Sequence, residues 1–129
     1  MILIDCTTQE IQSMSCLDIE LLRGLEELSP PGTESLVVEL VKLFADSTPS
    51  ILEELRSALA QGELTSASRL AHRLKGSAAN IGAAKMSALC AQLEKSAQTN
   101  QPEVNNALVE RISASFTASL LELNSYICA

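Results

Sequence analysis

Between Gly62 and Gly82, small and apolar side chains return every three or four residues, at Ala67, Ala71, Leu74, Ala78 and Ile81. That spacing follows the 3.6-residue turn of an α-helix and keeps one stripe facing inward. The same period recurs at Leu36, Leu40, Leu43, Ser47, Ile51, Leu55 and Ala58, and again at Met86, Leu89, Leu93 and Ala97. It returns a last time at Val104, Leu108, Ile112, Ser115, Ser119, Leu123 and Ile127. Strongly alternating runs of the β type are absent. Hydrophobic residues make up 47% of the 129, yet aromatics only 2%. A core filled by Leu, Ala, Ile and Val suits packed helices better than a sandwich or barrel.

Local signals set the expected boundaries. Residues 1–16 show little periodicity and read as an N-terminal arm or leader, leaving 17–129 as one helical domain. A short helix is expected from Asp18 to Leu28, with Asp18 and Glu20 at its positive end. Ser29-Pro30-Pro31-Gly32 stops it, and Thr33 is a good N-cap for the next. That next helix spans 34–60. Pro49 lies inside it, but the stripe passes through without a phase slip, so one kinked helix is expected. Gln61-Gly62 ends it. A third helix runs from about Glu63 to Ile81 and closes at Gly82. A fourth covers about 83–98, Thr99 to Pro102 form a turn, and the last covers about 103–126. Short connections make neighbours antiparallel. The expected fold is all-α: an antiparallel up-and-down four-helix bundle with an additional short N-terminal helix.

Charge and cysteine usage narrow the function classes. A formal charge of −7 repels phosphate backbones and anionic lipid, which disfavours nucleic-acid and membrane binding. No apolar run approaches the roughly 20 residues that span a bilayer. The start Met1-Ile2-Leu3-Ile4-Asp5 lacks the form of a signal peptide. Cysteines at 6, 16, 90 and 128 have no zinc-like spacing and read as reduced thiols in a cytoplasmic protein. Cys90, beside the Leu89–Leu93 seam, is expected to act as a small buried hydrophobe.

One residue stands apart. His72 is the only histidine, and on a helix whose core side is marked by Ala67, Ala71 and Leu74 it points about 140° away from the core. Its same-face neighbours are Ser68, Arg69, Gly76 and Ala79, three of them small. Glycine inside a helix costs about 1 kcal/mol relative to alanine. Clearance for something bulky approaching the imidazole is a physical reason to accept that loss, close helix packing being the alternative. Lys75 lies about 60° around the helix from the ring, near enough to bring an ammonium to whatever the ring carries. From Leu64 through Leu93 there is no Asp or Glu, while Arg69, Arg73, Lys75 and Lys85 all fall there. Such a patch favours an acidic partner surface or a phosphoryl group. Neutral imidazole is a good nucleophile toward phosphorus, and a free imidazole titrates near neutral pH. The chain shows no P-loop, no glycine-rich nucleotide loop, no metal-ligand set and no orienting acid on the histidine's helix. A group carrier without its own catalytic apparatus is the expectation, neither a kinase nor another enzyme. From the residues alone, a non-phosphorylated helical adaptor binding an acidic protein through its 68–79 face stays open.

The segment His72-Arg73-Leu74-Lys75-Gly76-Ser77-Ala78-Ala79-Asn80-Ile81-Gly82 resembles the signature of the histidine-containing phosphotransfer (HPt) domains of bacterial multistep phosphorelays, H-x-L-K-G-S-A-x-x-[LI]-G. The likeness extends back through Phe44-Ala45-Asp46-Ser47-Thr48-Pro49 and forward through Leu89-Cys90-Ala91-Gln92-Leu93-Glu94, and Leu17-Asp18 looks like the usual family start. It covers about residues 17–125. The resemblance implies a monomeric four-helix bundle that relays a phosphoryl group between receiver-domain aspartates. His72 would be acceptor and donor, Lys75 would neutralise phosphoryl oxygens, and Gly76 would leave room for the partner. Ser68, Arg69, Arg73 and Ala79 would border the docking face. The partners implied are response-regulator receiver domains and a hybrid sensor histidine kinase, the receiver bringing Mg²⁺, with no cofactor or metal held by this chain. Glu94 falls where some members carry a glutamine facing the histidine. A carboxylate cannot donate a hydrogen bond to a phosphoryl group, so the resemblance gives Glu94 no role.

Overall fold

The computed structural model describes residues 17–28, 35–99 and 101–128. The arm expected over 1–16, the Ser29–Gly32 stop and the Thr33 cap lie outside them. Among these described residues five helices follow in order: α1 (Ile19–Glu27), α2 (Leu36–Ala60), α3 (Leu64–Asn80), α4 (Ala84–Ser96) and α5 (Pro102–Cys128). Helix α3 packs on α2 and α4, α5 closes the ring by packing on α4 and α2, and α1 leans on α2. Three-residue links at 61–63 and 81–83 force the chain to reverse, giving the antiparallel four-helix bundle with its short extra helix.

Caps explain where the helices begin. Asp18 Oδ1 accepts the Leu21 amide at 3.2 Å at the start of α1. Ser35 Oγ accepts the Val37 amide at 3.1 Å at the start of α2. Each satisfies a backbone donor that the first turn leaves without an intrahelical partner. Helix α2 runs unbroken through Pro49. The ring there has no N–H, so the bond back to the Ala45 carbonyl is lost while the helix is held by its neighbours.

Both links around α3 end their preceding helix in the same way. Gly62 and Gly82 have φ of +74° and +76°. After Gly62, Glu63 N donates to Ala58 O at 2.8 Å; after Gly82, Ala83 N donates to Ala78 O, also at 2.8 Å. These are Schellman closures, which favour glycine at the left-handed position. Gly82 is constrained further, because an added Cβ would sit 3.1 Å from the Asp18 carbonyl oxygen. In return the Asp18 amide donates to Gly82 O at 2.7 Å, tying the start of α1 to the end of α3. Gly82→Ala is expected to cost about 1–2 kcal/mol from handedness alone, read as a lower urea midpoint with an unchanged slope.

The core is aliphatic. Ala67, Ala71, Leu74, Ala78 and Ile81 are buried, as are Met86, Leu89, Cys90, Leu93 and Ala97. Burial pushes the Cys90 thiol up to about 12, which keeps it protonated at neutral pH. The stripe expected for the first half of α2 is corrected. The buried residues there are Val37, Val41, Phe44 and Thr48, while Leu43 is 64% exposed. Phe44 makes an edge contact with Phe116 of α5 at 5.2 Å between ring centroids, and this pair selects the inward face. On α5 the expected series is buried from Leu108 through Leu123, but Val104 is exposed and Asn105 is buried in its place. The Asn105 carboxamide oxygen accepts from Ser96 Oγ, which satisfies that oxygen against α4.

Candidate functional site

Helix α3 carries its apolar stripe into the bundle and its polar side outward, so His72 emerges on the open face. Its side chain is 66% exposed. Gly76, one turn on, has nothing within 4 Å of where a Cβ would stand. Close packing therefore does not explain this glycine, and open space beside the imidazole is what it leaves. Arg69, Arg73 and Ala79 are exposed on the same helix.

Lys75 is not free above this surface. Its Nζ donates to Glu94 Oε1 at 2.7 Å, while Glu94 Oε2 lies 2.9 Å from His72 Nδ1. One carboxylate from α4 thus joins the two residues that the sequence singles out on α3. The Lys75 ammonium, more than any other neighbour, holds the Glu94 carboxyl below the usual carboxylate range; the hydrogen bond from His72 adds to this and partial desolvation opposes it. Like an ordinary carboxylate, Glu94 is ionised at neutral pH.

Main-chain ties fix the register. Ser68 Oγ donates to the Glu94 carbonyl at 3.1 Å, and Gln98 Nε2 reaches Ser68 Oγ at 3.4 Å. Ser87 Oγ of α4 donates to the Lys75 carbonyl at 3.3 Å. Ser68 is half-buried and turned toward α4 rather than standing on the open face.

Two features go beyond the sequence reading. The first is the contact Glu94 makes: the resemblance sets it facing the histidine but gives it no role, and the acid-free stretch ends at Leu93, one residue before the acid that meets the ring. No acid stands on α3, and α4 supplies the one that meets the ring. Counting from the turn would have found it, since antiparallel helices joined by a short link set residues about equally far from the link side by side. His72 stands ten residues before Gly82 and Glu94 twelve after it. The second is a groove between α2 and α3, where Leu40, Leu43 and Phe44 face Arg73 and Ser77. Its signal is the pair Leu40 and Leu43 of the α2 leucine series, which line this groove, Leu40 packing against the core as well.

Among the described residues, no group of three or more His, Cys, Asp or Glu stands together to hold a metal ion. No helix among them is long and apolar enough to cross a membrane.

Comparison with known structures agrees with this arrangement. The crystal structure of histidine-containing phosphotransfer protein B from Pseudomonas aeruginosa matches with a TM-score of 0.76 at 26% identity, covering 88% of this chain and 96% of that one. A histidine-containing phosphotransfer protein from maize matches with a TM-score of 0.72 at 26% identity, covering 87% of each chain. No curated protein sequence matches the chain. Residues 39–124 match the Hpt domain family. A helical bundle of this form, with a histidine on its open face, is a phosphocarrier module. The chain belongs to the Hpt domain family, and its function is histidine phosphotransfer in a phosphorelay. Its partners are accordingly two-component receiver domains and kinases.

Proposed function

We propose that His72 is the residue that carries the phosphoryl group. The observation that carries this reading is its exposure beside the open space over Gly76, which lets a receiver's acidic pocket reach the ring. In the forward direction, a ring nitrogen attacks the phosphorus of the receiver's aspartyl phosphate. The N–P bond forms as the P–O bond breaks, and the electron pair leaves with the aspartate carboxylate. Donation to a second receiver is the reverse of this step. Lys75 lies close enough to offset charge on the phosphoryl oxygens. Arg69 and Arg73 favour approach of an acidic surface. Mg²⁺ comes with the receiver in this reading, and the chain works as a cytoplasmic monomer downstream of a hybrid sensor histidine kinase. The test is incubation with receiver domains carrying ³²P-labelled aspartate: label moves to this chain in an acid-labile, base-stable form. Failure of every receiver of the source organism to pass label overturns the reading.

The groove between α2 and α3 extends the docking face. Leu43, largely exposed at its edge, presents apolar area next to Arg73. Leu43→Glu is expected to leave folding within about 0.5 kcal/mol, as an exposed substitution does. It should weaken receiver binding about tenfold by removing an apolar contact and adding repulsion. Calorimetric titration with the receiver measures this, and an unchanged affinity would remove α2 from the docking face.

A further inference from the structure

Four consecutive residues of α2, Ser47-Thr48-Pro49-Ser50, all work against a continuous helix. Pro49 has no N–H, so the Ala45 carbonyl receives no bond from it. Ser47 Oγ donates to the Leu43 carbonyl at 2.9 Å, and Ser50 Oγ to the Ser47 carbonyl at 3.2 Å. Hydroxyls that bond back into their own helix loosen and bend it. Thr48 is fully buried, yet its hydroxyl finds no hydrogen-bond partner among the described residues. A buried polar group left unmet favours any opening that lets water reach it.

The neighbours of this stretch do not compensate. On α5, Ser115 and Ser119 flank Phe116, the ring that meets Phe44, and both bury hydroxyls that also lack a partner among the described residues. A groove runs along each flank of α2 at this level. Ser47 and Ile51 border the one against α3, and Pro49 and Ser50 border the one against α5. Beyond the stretch, α2 is anchored by buried Ile51, Leu52, Leu55 and Ala58. Before it, α2 carries Leu40 and Leu43 along the groove that faces Arg73. We propose that residues 47–50 are a hinge, about which the 36–46 half of α2 shifts against α3 and changes the width of the groove between Leu43 and Arg73. Hinges absorb backbone rotation at a few residues, and missing ladder bonds with open space on both flanks supply what that needs. Val37, Val41 and Phe44 stay in the core, so the half-helix rocks on these contacts rather than detaching. A receiver docking over Leu43 then meets a surface that adjusts to it. That last step rests on the phosphorelay reading; the hinge itself does not.

Native-state hydrogen exchange on the free protein tests the hinge. Ile51, Leu52 and Leu55 are all buried, so a uniform helix would protect their amides alike. The helical acceptors of the Ile51 and Leu52 amides are the Ser47 and Thr48 carbonyls, and these two amides should exchange about tenfold faster than that of Leu55 through local opening. Pro49→Ala restores the missing N–H, and Thr48→Val removes the buried hydroxyl. Either variant should bring Ile51 and Leu52 to within about threefold of Leu55. In relaxation dispersion, the Leu40 and Leu43 methyl groups should show motion in the microsecond-to-millisecond range of hinges, and Leu55 none. Saturating receiver should quench it. Pro49→Ala, which leaves Leu43 and His72 in place, should lose the dispersion and associate with the receiver about tenfold more slowly, because the partner then meets a single setting of α2. Equal protection at Ile51, Leu52 and Leu55, or flat dispersion at Leu40 and Leu43 in the wild type, overturns the hinge. Unchanged association of Pro49→Ala overturns its use in docking. A wild type that binds no receiver overturns the phosphorelay reading instead, while exchange on the free protein still decides whether α2 is hinged.

Discussion

His72→Gln is expected to abolish acceptance of phosphoryl label from a phosphorylated receiver while leaving the bundle folded. The substitution is made on an exposed side chain, so the core of Ala67, Ala71 and Leu74 is untouched and stability shifts by no more than about 0.5 kcal/mol. Glutamine keeps hydrogen-bonding capacity near Glu94, but a carboxamide nitrogen has no lone pair free to attack phosphorus. The chain has no second histidine to take over. The expected rate is therefore background rather than a reduced value. Autoradiography of the wild type and variant beside the same receiver measures it, with circular dichroism as the folding control. Label retained by the variant would mean that another residue carries the group. An adaptor that only binds an acidic partner through the 68–79 face would show no such loss of chemistry.

Gly76→Gln should push stability and function in opposite directions. Glycine in a helix interior is about 1 kcal/mol less favourable than alanine, and glutamine recovers about half or more of that. Nothing stands within 4 Å of the position a Cβ would take, so the gain is not offset by a clash. The thermal midpoint rises by a few degrees, at about 4 °C per kcal/mol for a domain of this size. Transfer, however, requires the donor phosphorus to come in line with the ring. A side chain filling that space displaces the partner by more than an ångström, and misplacement on that scale costs about a hundredfold in rate. Single-turnover transfer and a thermal melt on the same sample give both signs. An unchanged transfer rate would show that the open space is not used by the partner. Gly76→Ala, which adds only one methyl group, should gain the full amount of about 1 kcal/mol, more than the glutamine variant, with a smaller loss of rate.

The legibility of this molecule varied along the chain for physical reasons. Helix α3 was readable because its buried positions are alanine and leucine between two glycines and its other face is polar, so only one phase fits. Helix α2 was not, because Leu36, Leu40 and Leu43 run beside Val37, Val41 and Phe44, about 100° apart. Both series join Ile51 by a step of three or four, from Thr48 or from Ser47, and so no phase slip marks the wrong one. What selects between them is the Phe44–Phe116 contact with a helix more than fifty residues away. The structure caps α2 at Ser35, while Thr33, the expected cap, lies outside the described residues. In the site, exposure of His72 followed from its own helix, and so did the neighbourhood of Gly76. Glu94 did not, because its meaning depends on the register between α3 and α4 rather than on any property of its own segment.

The hydrogen bond between the Asp18 amide and the Gly82 carbonyl bears on how this module can be moved from one protein to another. The family match spans residues 39–124, which holds every residue around His72. Yet a graft cut at those limits would discard Leu22 and Val37, both fully buried, and would remove the amide that receives the end of α3. The smallest transplantable unit therefore begins by Leu17, well ahead of the boundary that sequence similarity draws.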